Sequence, residues 1–224
     1  KTPNEPKGQK KNTDAKFNQK TRIILIDKPE AVQSIIIAAH LVNPVDDEDD
    51  FNIKAMNSIL GGDFTSRINM NLRENKGWSY GAGSSISRSI RQSSFSMNAS
   101  IQTDKTAESM LEMVKEIRAY QLESPPTQNE LDLMVKGNTL PLPGRFSSNR
   151  SLLSYIMSNE KYGRPYTYAQ TLEEKYEALT PELLQKTAKE TLRPDEMIWI
   201  VVGDLKKIEK NIRELNLGEV EIWD

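Results

Sequence analysis

The chain contains no cysteine and a single histidine, His40. The first absence excludes disulfides, thiolate metal ligands and a cysteine nucleophile, and it leaves the redox compartment open. The second excludes any metal site that needs two imidazoles, and a serine–histidine–aspartate triad would have to use His40 itself. An excess of one charge is missing too. Thirty Lys and Arg stand against 32 Asp and Glu, interspersed, for a net charge of −2. Nucleic acid wants a basic excess gathered on one face, so it is not an expected partner. No apolar run approaches the roughly 20 residues of a membrane-spanning helix. The longest, SIIIAAHLV (34–42), has the length of a buried strand. An initiator methionine and an apolar signal region are also absent from the start. KTPNEPKGQKKNTDAKF reads as the inside of a linker, so the chain is expected to be a fragment or processed piece. The KGQKK run within it is a solvated linker segment rather than a basic docking arm. Residues 1–20 are therefore expected to form a linker or disordered arm and residues 21–224 one domain. No compartment follows from a missing native N-terminus, although the periplasm is favoured if the source is bacterial.

What is present suits one well-formed core, with 37% hydrophobic residues over 224 positions. TRIILID (21–27) reads as a strand closed by Lys28 and Pro29. VQSIIIAAHLV (32–42) reads as a longer strand, apolar on both faces and so central in its sheet. NPVDDEDD (43–50) is a turn into a helix. Its carboxylates suit the helix dipole, and it lacks the spaced ligands and central glycine of a calcium loop. Ile53, Met56, Ile59 and Leu60 recur at helical spacing until Gly61-Gly62 breaks the run. Asp63 is then expected to cap a second helix with Phe64, Ile68 and Leu72 as its buried stripe, and Gly77 to close it.

Two strands follow, YGAGSSISRS (80–89) and SSFSMNASI (93–101). The second alternates Phe95, Met97, Ala99 and Ile101 with serines and Asn98, which predicts one face under helices and one face wet. From Lys105 onward helices dominate. Met110, Leu111, Val114, Ile117 and Leu122 form one expected stripe, Thr127 and Glu130 a capping box, and Thr180-Pro181 a helix start. MIWIVVGD (197–204) is a buried strand, LKKIEKNIREL (205–215) a helix, and GEVEIWD (218–224) a last short strand or tail. Strands and helices are partly segregated, and no short repeat is present. The fold class is α+β, an antiparallel sheet with helices packed on one face.

Few residues could carry chemistry. His40 ends a buried strand with no second ligand four positions on, which marks a structural histidine. The glycines of YGAGSS lie inside a strand with no helix opening behind them, so the nucleotide fingerprint fails. LGGDFTSRINMNLRENKGWSYGAGSS (60–85) remains, and it sets Arg73 and Tyr80 on either side of a helix-to-strand turn. One reading is an arginine at a helix C-terminus and a strand tyrosine packed on the core. The other is a guanidinium and a phenol donating toward one point, where they grip a peptide carbonyl or an oxyanion. A preorganised donor of that kind is worth up to about 3–4 kcal/mol. Strict alternation puts Tyr80 with Trp78 and Ile86, and Ser79, Gly81, Gly83 and Ser85 on the polar face. A glycine bulge, or pairing that starts after Tyr80, would lift that conflict.

At this stretch, NSILGGDFTSRINMNLRENKGWSYGAGSS, the chain resembles the insulinase/pitrilysin family of zinc metallopeptidases, which includes the mitochondrial processing peptidases. DKPEAVQS (27–34) resembles that family's opening hairpin, and residues 162–204 its closing helices and last strand, so the likeness covers roughly 20–224. The resemblance implies a processing-peptidase-like metallohydrolase domain of the C-terminal type. It also implies zinc held by an H-x-x-E-H motif on a homologous N-terminal domain or partner subunit. This chain has no such motif, so no cofactor is expected in it and zinc is expected in the partner. Arg73 would hold a backbone carbonyl of an unfolded peptide substrate, and Tyr80 would be the catalytic residue that stabilises the oxyanion. Two readings follow: the substrate-binding half of a working peptidase, inactive alone, or a catalytically dead scaffold or peptide-binding subunit.

Overall fold

Runs rich in branched residues build the sheet. In the computed structural model, which describes residues 20–43, 47–89 and 92–223, the strands are β1 (Arg22–Asp27), β2 (Gln33–Val42), β3 (Ser79–Ser87), β4 (Ser93–Gln102), β5 (Ile198–Gly203) and β6 (Glu219–Trp223). They form one sheet in the order β3-β4-β2-β5-β1-β6. The expected linker, Lys20 apart, and the first part of the acidic turn, residues 44–46, lie outside the described residues.

β2 sits inside the sheet, as a strand apolar on both faces must. It pairs antiparallel with β4 on one side and β5 on the other. β3 pairs antiparallel with β4, whereas β1 runs parallel to both β5 and β6. The α+β class holds, with a mixed sheet rather than a wholly antiparallel one. The difference originates at the Lys28–Pro29 turn. An opening hairpin is expected there, yet β5 lies between β1 and β2, and the turn joins strands that never pair. The run IWIVVG is apolar on both faces and therefore takes an interior slot with a neighbour on each side.

Eight helices among the described residues complete the fold: α1 (Asp47–Asn57), α2 (Arg67–Asn69), α3 (Thr106–Gln121), α4 (Gln128–Thr139), α5 (Asn149–Tyr162), α6 (Leu172–Glu177), α7 (Pro181–Thr191) and α8 (Leu205–Glu214). α1 and α2 each run on as a wider π-helical turn, over Ser58–Gly62 and Met70–Asn75. The caps follow the sequence. Thr127 and Glu130 close a capping box on α4, and the Thr180 hydroxyl accepts the Leu183 N–H at 3.1 Å on α7.

The core joins one sheet face to the helices. Leu25, Ile36, Phe95, Met97, Ile101, Trp199 and Val201 from the sheet belong to one buried cluster with Met110, Ile117, Leu184, Ala188 and Ile212. Leu111 in α3 and Leu122 just past its end are exposed, and Met113 and Tyr120 take the buried places expected of them. The opposite sheet face is polar along β4, as its alternation predicts, but on β2 it presents the partly exposed Ile35 and Ile37. No helix among the described residues is long and apolar enough to cross a membrane.

Candidate functional site

The stretch from Leu60 to Ser85 begins with a close approach. A Cβ on Gly61 would stand 2.3 Å from Ser84 Oγ and 2.7 Å from Ser84 N, so only a glycine lets the end of α1 lie against β3. The double glycine therefore marks a contact and not a break, since the helix continues through both as a π-turn. Asp63 turns extended, and its N–H returns to Ser58 O at 3.2 Å. The N-cap of α2 is Ser66, not Asp63. Phe64 thus precedes the first helical turn, helical spacing does not apply to it, and it is 66% exposed. Ile68 and Leu72 are buried as expected.

The two arginines of the stretch are used differently. Arg67 forms a fork on Glu130, with Nε at 2.6 Å from Oε1 and Nη2 at 2.7 Å from Oε2. Its remaining donors reach Ser124 O at 2.5 Å and Pro125 O at 3.0 Å, and its guanidinium covers the Tyr120 ring. Burial is the largest single effect and works against both charges, but their mutual hydrogen bonds and attraction, with the Thr127 bonds on Glu130, together outweigh it. The Arg67 pKa is raised and the Glu130 carboxyl is held below the usual range. Arg73 lies in the π-turn that follows α2. Its guanidinium is stacked 4.5 Å over the Phe64 ring, and its one ionic contact among the described residues is Glu74 Oε1 at 3.5 Å. Most of its donor fork is uncommitted.

The turn into β3 is held from several sides. Gly77 takes φ 64°, the left-handed conformation expected of it, and Trp78 N–H closes back on Leu72 O at 2.9 Å. Gln102 at the end of β4 grips the turn, donating its backbone N–H to Trp78 O and its side-chain amide to Gly77 O, both at 3.0 Å. The pairing then slips. Ser79 faces Ile101 and Ala82 faces Ala99, so three steps on β3 match two on β4. This is a β-bulge at Tyr80–Gly81, and it settles the alternation conflict. Ser79 turns inward, with its hydroxyl accepting the Gly81 N–H at 3.0 Å and lying 2.8 Å from Ser100 O. Tyr80 turns outward and is 86% exposed, and its hydroxyl has no hydrogen-bond partner among the described residues.

Asn57 and Asn69 escape sequence reasoning. β3 is an edge strand, and these side chains occupy two of its backbone groups. Asn69 Oδ1 accepts the Ala82 N–H at 3.2 Å, and Asn57 Nδ2 donates to Ser84 O at 3.2 Å. The only signal for them is negative: two asparagines in helical positions where an apolar or charged residue is commoner.

Among the described residues His40 is not placed to bind zinc. His40 Nδ1 lies 2.9 Å from Leu41 O, and Nε2 accepts the Arg193 N–H at 3.3 Å. Burial, opposed by the Leu41 carbonyl bond and reinforced by the Arg193 charge, lowers its pKa and keeps the ring neutral. No His, Asp or Glu group among the described residues is arranged to hold a metal. A separate cavity of about 540 Å³ lies between α1, α5 and α6 and shares no lining residue with the Arg73–Tyr80 turn. On its wall the buried Asp50 Oδ2 meets Lys54, Arg88 and Arg164 at 2.7, 3.0 and 3.4 Å, a charge cluster that ties these elements together.

The fold has counterparts among known proteins. The family described as the peptidase M16 inactive domain matches residues 1–138. No curated protein sequence matches. Among solved structures, a peptidase M16 inactive domain from Pseudomonas fluorescens is 25% identical with a TM-score of 0.73, over 82% of this chain and 44% of that one. A protease from Helicobacter pylori is 15% identical with a TM-score of 0.72, over 81% and 43%. The periplasmic protease PqqL from Escherichia coli is 16% identical with a TM-score of 0.66, over 80% and 20%. The chain thus spans less than half the length of these structures, and the latter two share its fold.

Proposed function

The chain belongs to the insulinase, or peptidase M16, family through its inactive domain, and from that premise we propose that it is the zinc-free, peptide-gripping half of a two-part metallopeptidase. Arg73 holds a backbone carbonyl of an extended substrate, and Tyr80 donates its phenolic proton to the oxyanion that forms as the peptide is attacked. A homologous domain or subunit, adjacent in one polypeptide or associating with it, carries the zinc. If the source is bacterial, the periplasm is the compartment of that assembly. Residues 21–224 act as one domain in it.

The observation that carries this reading is the contrast within one turn. Arg67 commits all three guanidinium nitrogens to Glu130, Ser124 and Pro125, while Arg73, set by the same helix, has only the 3.5 Å contact of its Nε with Glu74, and the Tyr80 hydroxyl at the bulge has no hydrogen-bond partner among the described residues. Idle donors held in place by folded structure suit a guest that brings the acceptors. A scaffold has no use for them.

The test is reconstitution. The chain alone is expected to cleave no unfolded peptide and to retain no stoichiometric zinc after dialysis, whereas its mixture with the zinc-bearing half cleaves. Equal activity from the zinc-bearing half alone would favour the scaffold reading.

A further inference from the structure

We propose that Asn69 is a positioning residue that locks Arg73 and Tyr80 into one frame, an inference that rests on the peptide-gripping reading above. Asn69 ends α2 and is 5% exposed. Its amide spans the two arms of the turn. Nδ2 donates to Phe64 O at 2.6 Å, and Oδ1 accepts the Ala82 N–H at 3.2 Å. Each arm carries one donor of the grip. On the first, the Phe64 ring is the platform under the Arg73 guanidinium, 4.5 Å from its centre. On the second, Ala82 is the first regular pair after the bulge that turns Tyr80 outward.

The chemistry of the two ends fixes the orientation. A backbone carbonyl only accepts and a backbone N–H only donates, so the amide satisfies both arms in one orientation alone. A side chain with both functions at this length is Asn. An aspartate keeps the acceptor for Ala82 but turns a negative oxygen on the Phe64 carbonyl, and an alanine loses both bonds. The link is short and buried, whereas Phe64 and Tyr80 are themselves exposed and have little other packing to hold them. Donors displaced by about 1 Å lose up to a hundredfold in rate, which is the scale on which a positioning residue acts.

The two substitutions therefore separate in kinetics. In the peptidase assembled with its zinc-bearing half, Asn69→Asp loosens the Phe64 arm, and KM for an unfolded peptide rises by about tenfold with kcat little changed. Asn69→Ala frees both arms, so kcat falls as well, and exchange of the Ala82 amide with solvent accelerates by about tenfold. Combined with Tyr80→Phe, Asn69→Ala lowers kcat no further than Tyr80→Phe alone, because both act through one group. Should Asn69→Ala fail to fold, the near-isosteric Asn69→Asp carries the test through its split of KM from kcat. Unchanged kinetics in a folded Asn69→Asp protein, or additive losses in the double variant, overturn the proposal. If Tyr80→Phe by itself leaves kcat/KM unchanged, the gripping reading has failed, and the role of Asn69 fails with it.

Discussion

Arg67 and Arg73 share one short stretch, and their substitution separates a structural arginine from a ligand-binding one. Arg67→Ala strands Glu130 and two carbonyls, costing roughly 1.5–3 kcal/mol on the scale of hydrogen bonds to charged groups. Arg73→Ala removes a one-third exposed side chain with a single 3.5 Å ionic contact, and stability should move by no more than about 0.5 kcal/mol. Thermal unfolding checks the first pair of values. Binding of an unfolded peptide to the assembled enzyme checks the second, with Arg73→Ala weakening it by about tenfold or more. The sequence makes Arg73 and Tyr80 visible because helix, glycine and strand signals bracket them. It hides the partners of Arg67, since Glu130 lies 63 positions away and nothing local marks a contact over that distance. Ser79 and Asn69 are hidden for another reason, their roles being defined by the backbone they meet.

Among the elements, the end of α1 and the start of β3 are read least well from sequence. A double glycine is a strong breaker signal, yet here Gly61 is required by Ser84 pressing on the helix. Gly61→Ala should destabilise by about 1–3 kcal/mol through overpacking, because the added carbon meets backbone as well as side chain. Chemical denaturation checks it, and a neutral result would mean that α1 and β3 are not in close contact. Phe64 is misread because its spacing from Ile68 and Leu72 assumes a helix that begins only after Ser66. The bulge was one of two ways to turn Tyr80 outward, and alternation alone could not choose between them. Where a segment is long and its period clean, as in β2, β4 and α7, sequence and structure coincide.

For the whole molecule, the α+β class follows from the order of patterns along the chain, but strand order does not. The parallel pairing of β1 with β5 and β6 joins residues from opposite ends of the described structure, a choice set by burial of both faces of β5 rather than by any turn. Global stability also carries a clean pH signature, because His40 is the sole histidine. Its folded pKa lies below the ordinary 6.5, so the unfolded chain takes up the proton first. Stability is full above about pH 6.5 and declines as pH falls below it, toward the lowered folded pKa. Urea midpoints between about pH 8 and pH 5 should show this slope, and His40→Gln should abolish it. Further loss below about pH 4.3 comes from Glu130, Glu112 and Glu221, whose depressed carboxyls must then protonate.

The measurement closest to the central claim is kcat/KM of Tyr80→Phe in the enzyme assembled with its zinc-bearing half. Removing one hydroxyl from an 86% exposed ring should leave the melting temperature where it was, while kcat/KM falls by about tenfold or more through kcat. An unaltered kcat/KM in the folded, zinc-loaded assembly would contradict the account, and Arg73 and Tyr80 would then be ornaments of a helix-to-strand turn and nothing more.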